Sequence, residues 1–299
     1  MGAMKHTERP FFFECAGDQL LGIVSLPEDA ALPTVGVLIV VGGPQYRAGS
    51  HRLFVKLARH AAEQGVAAMR FDYRGMGDAT GDMRSFESVN DDLGAAMRAF
   101  QEQVPSLQRI VLWGLCDGAS AACMYAPHDA RVAGLILLNP WVHTLEGAAQ
   151  TKLRHYYLQR VFSAALWRKL MSGQVPSLRP FLTQISTLLR MRLQRLLGSD
   201  AASTAQANRT INALPLPQRT GHLLARSGAP VAVMLSDDDK VAREFEAQAL
   251  PTSEWQAVQR RQWLGLQHLA EADHTVTSPE ASQRLCEQTV AWIREMAQH

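Results

Sequence analysis

Residues Arg109–Ser120 read RIVLWGLCDGAS. Ile110–Trp113 is a short apolar run of the kind that forms a buried strand. The run breaks at Gly114, passes through Leu115, Cys116 and Asp117 to Gly118, and continues into Ala119, Ser120, Ala121 and Ala122, small residues that suit a helix start. Strand, sharp turn between glycines, helix is the layout of a nucleophile elbow, G-x-S-x-G, here with Cys116 at the serine position. The glycines answer a strained turn whose neighbouring backbone packs too closely for side chains. The elbow also sets Cys116 at a helix N-terminus, where N–H groups and the helix dipole favour a thiolate. A lone G-x-C-x-G arises easily by chance, so its weight depends on what surrounds it.

Outward from this stretch, strands and helices alternate. Phe11–Pro27 alternates apolar and polar residues and predicts an antiparallel hairpin at a sheet edge. Val35–Val41, VGVLIVV, reads as a strand covered on both faces and runs into Gly42-Gly43-Pro44. Helical spacing over Arg52–Gln64, a strand at Val66–Phe71, the turn Asp72-Tyr73-Arg74-Gly75-Met76-Gly77-Asp78 and an amphipathic helix over Ser85–Gln103 follow. Beyond the elbow, Val132–Leu138 and Val231–Leu235 are further strands, then a helix near Ser253–Trp263, a last strand at Leu266–Ala270 and a closing helix over Pro279–Met296. Such alternation predicts a mostly parallel, doubly wound α/β sheet, with its site at the carboxyl ends of the strands.

The alternation stops between Val142 and Arg226. This stretch reads as a helical cap (142–226) inserted into a core made of 1–141 and 227–299, with helices over Tyr156–Leu170 and Ile185–Leu197. Gly147–Ser199 carries nine Lys or Arg and no acid. A single-sign surface above a cleft predicts an anionic or lipid-linked small-molecule substrate, or peripheral association with a membrane; the alternative is a solvated helix face.

The 299-residue chain has a formal net charge of only +2, so bulk charge selects no partner and nothing points to nucleic acid. Its four cysteines show neither C-x-x-C nor zinc-ligand spacing, which predicts a reducing compartment and no metal. No cofactor motif is present. The first residues lack a signal-peptide core and no apolar run is long enough to span a membrane, so a cytoplasmic place is expected, with the inner membrane face as the variant.

A thiol nucleophile needs a base, an orienting acid and oxyanion donors. Asp239 follows a strand and His274 follows the last one, which reproduces the order nucleophile, acid, histidine. Asp238 is the second choice for the acid, and His268, inside a probable strand, is the weaker base. The backbone N–H of Asp117 is one oxyanion donor. Pro44 has no N–H, so the second comes from Gly43 or Gln45, with Gly43 preferred. The Asp117 side chain is expected to face the turn or solvent. Gln45, Arg47 and His51 are candidate substrate contacts. Arg47 could clamp a carboxylate or phosphate, or form a structural ion pair. Arg74 and Asp78 read as structural.

On Gly42-Gly43-Pro44, Asp72–Gly77, Gly114–Gly118 and Ala272-Asp273-His274 the chain resembles the α/β-hydrolase superfamily. More narrowly, Gly43–Arg47, Gly49–Arg52, Trp113–Asp117 and Ala242–Phe245 resemble the exosortase A system-associated hydrolases of the first type. That resemblance implies the α/β-hydrolase fold, a cysteine nucleophile and a setting beside exopolysaccharide and protein-sorting genes. Val41 departs from the superfamily, where many members carry histidine before the glycines. A cysteine nucleophile suits acyl transfer from an ester or thioester, because a thiolate is expelled more readily than an amine. Hydrolysis, transfer to a sugar, amine or lipid acceptor, and a non-catalytic scaffold binding lipid or a partner are the three readings.

Overall fold

The computed structural model describes residues 6–28, 33–43, 45–143 and 211–298. The expected cap helices and their basic run, and Pro44, lie outside these residues. The chain divides into two units, Met1–Val142 with Pro215–His299, and His143–Leu214.

The centre of the first unit is an eight-stranded sheet in the order β1-β2-β4-β3-β5-β6-β7-β8. The strands are β1 His6–Cys15, β2 Asp18–Pro27, β3 Val35–Val40, β4 Ala67–Phe71, β5 Arg109–Leu115, β6 Val132–Leu138, β7 Val231–Ser236 and β8 Trp263–Leu269. β1 and β2 form the expected hairpin, joined antiparallel to β4, and all other pairings are parallel. Every residue of β7 and all but the first of β3, β5 and β6 are buried. Strands covered on both faces must be apolar throughout, which is how these runs read in the sequence. The edge strand β1 alternates instead: Phe11 and Phe13 pack inward while Phe12 is exposed.

The helices are α1 Leu53–Glu63, α2 Asn90–Gln103, α3 Asp117–Tyr125, α4 Leu216–Ser227, α5 Lys240–Gln248, α6 Ser253–Arg261 and α7 Pro279–Met296. Several boundaries differ from expectation: α2 begins at Asn90 rather than Ser85, and α5 falls where no helix was read. α4 falls in the span assigned to the cap, yet it belongs to the core unit: Leu216 and Leu224 are buried, Trp255 Nε1–H of α6 donates to the Pro217 carbonyl at 2.9 Å, and Arg219 pairs with Glu87 at 2.6 Å. Its apolar face finds partners on α3 and α6, which periodicity alone could not assign. The last strand starts at Trp263, opposite Val231, rather than at Leu266, because pairing with β7 begins where α6 ends.

The chain leaves β3 through α1 to β4 on one side, then returns to β5 on the other. The carboxyl ends of β3 and β5 therefore flank the topological switch point, where a crevice opens in such sheets. The turn after β4 braces this rim. Asp72 accepts from the Arg47 amide at 2.7 Å and from the Arg47 guanidinium, which also reaches Asp78 at 2.5 Å. Arg74 grips the fully buried Asp92 of α2 side-on, at 3.0 and 2.7 Å, and its own amide donates to the same carboxylate at 3.0 Å.

A buried cation left without its carboxylate is costly. Asp92→Leu is expected to lower unfolding free energy by about 3–5 kcal/mol, measured by urea denaturation. The double variant Asp92→Leu with Arg74→Met should recover most of that loss. Equal loss in both would assign the effect to packing rather than to the orphaned charge.

Candidate active site

Cys116 sits at φ 59° and ψ −125°, a conformation that L residues rarely adopt. Neighbouring backbone holds it there. Its N–H donates to Leu138 O at 3.0 Å, and its carbonyl accepts from Ala119 at 3.1 Å, Ser120 at 3.3 Å and Trp141 at 3.1 Å. A Cβ on Gly114 would lie 2.6 Å from the Ala119 nitrogen, and one on Gly118 would lie 2.6 Å from the Val40 carbonyl. Both flanking glycines are thus required by close backbone approach. The elbow read from the sequence is the local geometry observed.

Parallel pairing sets the other members at the same end of the sheet. Asp239 follows β7 and caps α5, accepting from the amides of Val241 at 3.1 Å and Ala242 at 3.2 Å. His274, after β8, donates through Nδ1 to Asp239 Oδ2 at 2.7 Å. Burial alone would raise the Asp239 carboxyl; the His274 hydrogen bond and charge, with the two amides, outweigh it and hold the carboxyl below the usual range. Asp237 and Asp238 are exposed, so the structure selects Asp239 as the partner of His274. His268 faces outward and meets Asp237 at 3.2 Å and Glu246 at 3.6 Å, away from this pair.

Asn139 is a site residue that the sequence reading passed over. It is fully buried at the end of β6, with φ 45°. Its side chain accepts from the Ser236 amide at 2.8 Å and donates to Ser236 Oγ at 3.0 Å and to the His274 carbonyl at 3.3 Å. One amide group thus ties the ends of β6 and β7 to the histidine loop. The available signal was a polar residue closing an apolar strand immediately before Pro140.

The thiol departs from expectation. Cys116 is pushed up to about 12, first by burial and then by the negative charge of Asp117, with Asp239 adding to it; the Asp117 N–H acts the other way. The helix N-terminus does not produce a resting thiolate, because desolvation and the adjacent carboxylates win.

The loop after β3 also differs. Gly43 N–H donates to Asp117 Oδ1, so the preferred second oxyanion donor is engaged by a side chain from the elbow itself. The Asp117 carboxyl therefore faces the glycine loop rather than solvent. Gln45 and Arg47, expected to touch substrate, are used internally. Gln45 Oε1 accepts from the Ser50 amide at 2.9 Å, and Arg47 is held by Asp72 and Asp78. Carboxylates distant in sequence neutralise Arg47, which is the ion-pair alternative of the two readings. His51 is exposed at positive φ, and its charge acts on Asp273. Among the described residues no cluster of His, Cys, Asp or Glu is suited to a metal ion, and no helix is long and apolar enough to cross a membrane.

A half-buried thiol, a carboxylate-held imidazole and backbone amides stand at the carboxyl edge of one parallel sheet. Such a set can pass a proton from a nucleophile and receive a developing oxyanion. Comparison with known proteins agrees with the fold. Among solved structures, an esterase of Pyrococcus furiosus is similar at 12% identity, with 97% of this chain and 91% of that chain covered and a TM-score of 0.62. Est1E from Butyrivibrio proteoclasticus, solved with ferulic acid bound, is similar at 14% identity, with 97% and 100% covered and a TM-score of 0.61. A curated relative, the polyketide transferase grgF of a Penicillium species, is 26% identical over 107 residues, 34% of this chain and only 36% of that protein's length. The family model described as Serine aminopeptidase, S33, matches residues 35–254. The chain belongs to that family, and thus to the α/β-hydrolase superfamily.

Proposed function

We propose that the protein is a cysteine-nucleophile acyl hydrolase acting on esters or thioesters through a covalent acyl-enzyme, with Cys116 as nucleophile, His274 as base and Asp239 as its orienting acid. The observation that carries this reading is Cys116 at φ 59° in the elbow, at the same sheet edge as the 2.7 Å His274–Asp239 pair. The family is described by a serine; the elbow here holds a cysteine, which shifts the chemistry toward acyl groups with good leaving groups.

Because the resting thiol is neutral, proton removal accompanies attack. His274 Nε2 takes the Cys116 proton while Sγ bonds to the acyl carbon. The carbonyl oxygen becomes an oxyanion held by the Asp117 N–H and, once freed, the Gly43 N–H, each donor contributing about 3–4 kcal/mol. Collapse breaks the bond to the alkoxide or thiolate leaving group, which receives the proton from His274. Water then attacks the acyl-enzyme with His274 again as base, releasing a carboxylic acid and restoring the thiol. Asp239 keeps the imidazole tautomer correct and stabilises its charged form.

An acyltransferase is the second reading, in which a sugar, amine or lipid hydroxyl replaces water; the name of the Penicillium relative, a polyketide transferase, favours it. The basic run of Gly147–Ser199 would suit an anionic or lipid-linked acyl donor and contact with a membrane surface. The resemblance to exosortase A system-associated hydrolases extends the proposal to a substrate from exopolysaccharide or protein-sorting chemistry.

Intact-mass spectrometry with activated acyl esters and short acyl thioesters is expected to give one acyl adduct, present in wild type, absent in Cys116→Ala and forming far more slowly in His274→Ala, which lacks the base for attack. No adduct and no turnover with any donor would leave a non-catalytic scaffold. Adduct lifetime with added alcohols or amines separates transfer from hydrolysis. Asp239→Asn should lower kcat about 10³–10⁴-fold with little change in KM, read from steady-state ester hydrolysis. Since the thiol is raised above its ordinary 9.0 to about 12, the thiolate fraction keeps growing with pH across the accessible range. Iodoacetamide modification of Cys116 should therefore accelerate about tenfold per pH unit from pH 7 to 10 without levelling. A plateau below pH 8 would instead indicate a resting thiolate–imidazolium pair.

A further inference from the structure

The Asp117 carboxyl has no part in the reaction as written, yet it lies within it. It follows the nucleophile directly, and Gly43 N–H, the donor that an oxyanion would use, points at its Oδ1. The same loop is pressed onto the elbow: a Cβ on Gly42 would lie 2.0 Å from the Leu115 carbonyl and 2.8 Å from Asp117 Oδ1. There is no room for a second anion on that amide while the carboxylate holds it. We propose that Asp117 is a self-ligand of the oxyanion loop, occupying the Gly43 donor in the free enzyme, so that acyl chemistry requires this carboxyl to leave that amide, which loss of its charge makes easier. The proposal rests on the acyl-enzyme reading above and names a positioning residue for it.

The groups facing Asp117 agree with that role. Burial raises its carboxyl above the ordinary range, partly offset by the amides of Gly43 and Gly118, by its own N–H and by the charge of His274. On the elbow itself, the Asp117 charge adds to burial in raising the Cys116 thiol. From the turn after β4, the Tyr73 hydroxyl is buried without a hydrogen-bond partner and is raised by burial and then by Asp117. A desolvated carboxylate beside an orphaned hydroxyl, a thiol and an imidazole is poorly stabilised as an anion. One of the three amides that hold it is the amide that catalysis needs. Neutralised, it repels neither the thiolate forming on Cys116 nor the oxyanion beside Gly43. A substrate carbonyl that enters must first displace it, so the cost appears on binding as well as on chemistry.

The test compares wild type, Asp117→Asn and Asp117→Ser as full chains, with thermal melts to confirm folding. Two probes need no ester turnover. Iodoacetamide reports the thiol: Asp117→Asn should modify Cys116 at least tenfold faster than wild type at pH 8. A short-chain aldehyde, which adds reversibly to the thiol to form a hemithioacetal, reports the oxyanion site. Wild type should bind it more weakly as pH rises through the carboxyl titration, whereas Asp117→Asn should bind at least tenfold tighter at pH 8 and converge with wild type near pH 4. Superimposable alkylation profiles, or aldehyde binding that weakens equally at every pH in both variants, would reduce Asp117 to a brace of the loop and overturn the proposal. If a variant fails to fold, the pH dependence of aldehyde binding by wild type decides alone: a flat profile overturns it. The variant effects without turnover of any ester would remove the hydrolase reading and leave this one standing. Turnover without the variant effects would do the reverse. A Cys116 inert to both probes in every variant would remove both.

Discussion

The site depends on one strained residue. Cys116 occupies a backbone conformation that costs about 1–3 kcal/mol, held because β6, α3 and the loop after β6 all bond to its peptide groups. That strain is what turns the side chain up at the end of β5 instead of into the sheet. It also forces glycine on both sides, since Val40 and Ala119 approach the positions where side chains would stand. The strand–turn–helix unit therefore sets the position of Cys116, and the surrounding β-α connections only have to bring other groups to the same edge.

Those partners arrive through the sheet. Parallel pairing of β5, β6 and β7 aligns their carboxyl ends, so Cys116, Asn139 and Asp239 leave the sheet at the same rim. Asn139 converts that alignment into fixed geometry by bonding across to Ser236 and to the His274 loop. A buried amide that satisfies all three of these groups is costly to replace, because its loss would strand a buried amide donor and two acceptors. On the other side of β5, the Arg47–Asp72–Asp78 cluster and the Arg74–Asp92 pair hold the loops that frame the crevice.

Electrostatics at the centre run against a preformed thiolate. Burial raises the Cys116 thiol most, the charges of Asp117 and Asp239 add to it, and the Asp117 N–H at the start of α3 only partly offsets them. A neutral, partly buried thiol is less open to oxidation and alkylation than a thiolate. Helix-dipole reasoning correctly identifies a favourable contribution, yet the sign of the net effect is decided by neighbours that lie outside the helix.

The sequence by itself determined the local patterns: apolar strands buried on both faces, the glycine spacing of the elbow, and the order of Cys116, Asp239 and His274. These are short-range consequences of covalent geometry and solvation, so they can be read from adjacent residues. It also narrowed the acid to one short run and preferred Asp239 within it from the distance past the strand end. Only the tertiary structure decided that Asp239, and not Asp238, turns inward to cap α5 and meet His274. Only it decided that Leu216–Ser227 packs onto the core, that Arg47 and Gln45 serve the framework, and that Asp117 reaches a glycine 74 residues away. Each of these is a through-space contact between distant segments, with burial and charge set by the fold, and no spacing along the chain encodes which partner wins.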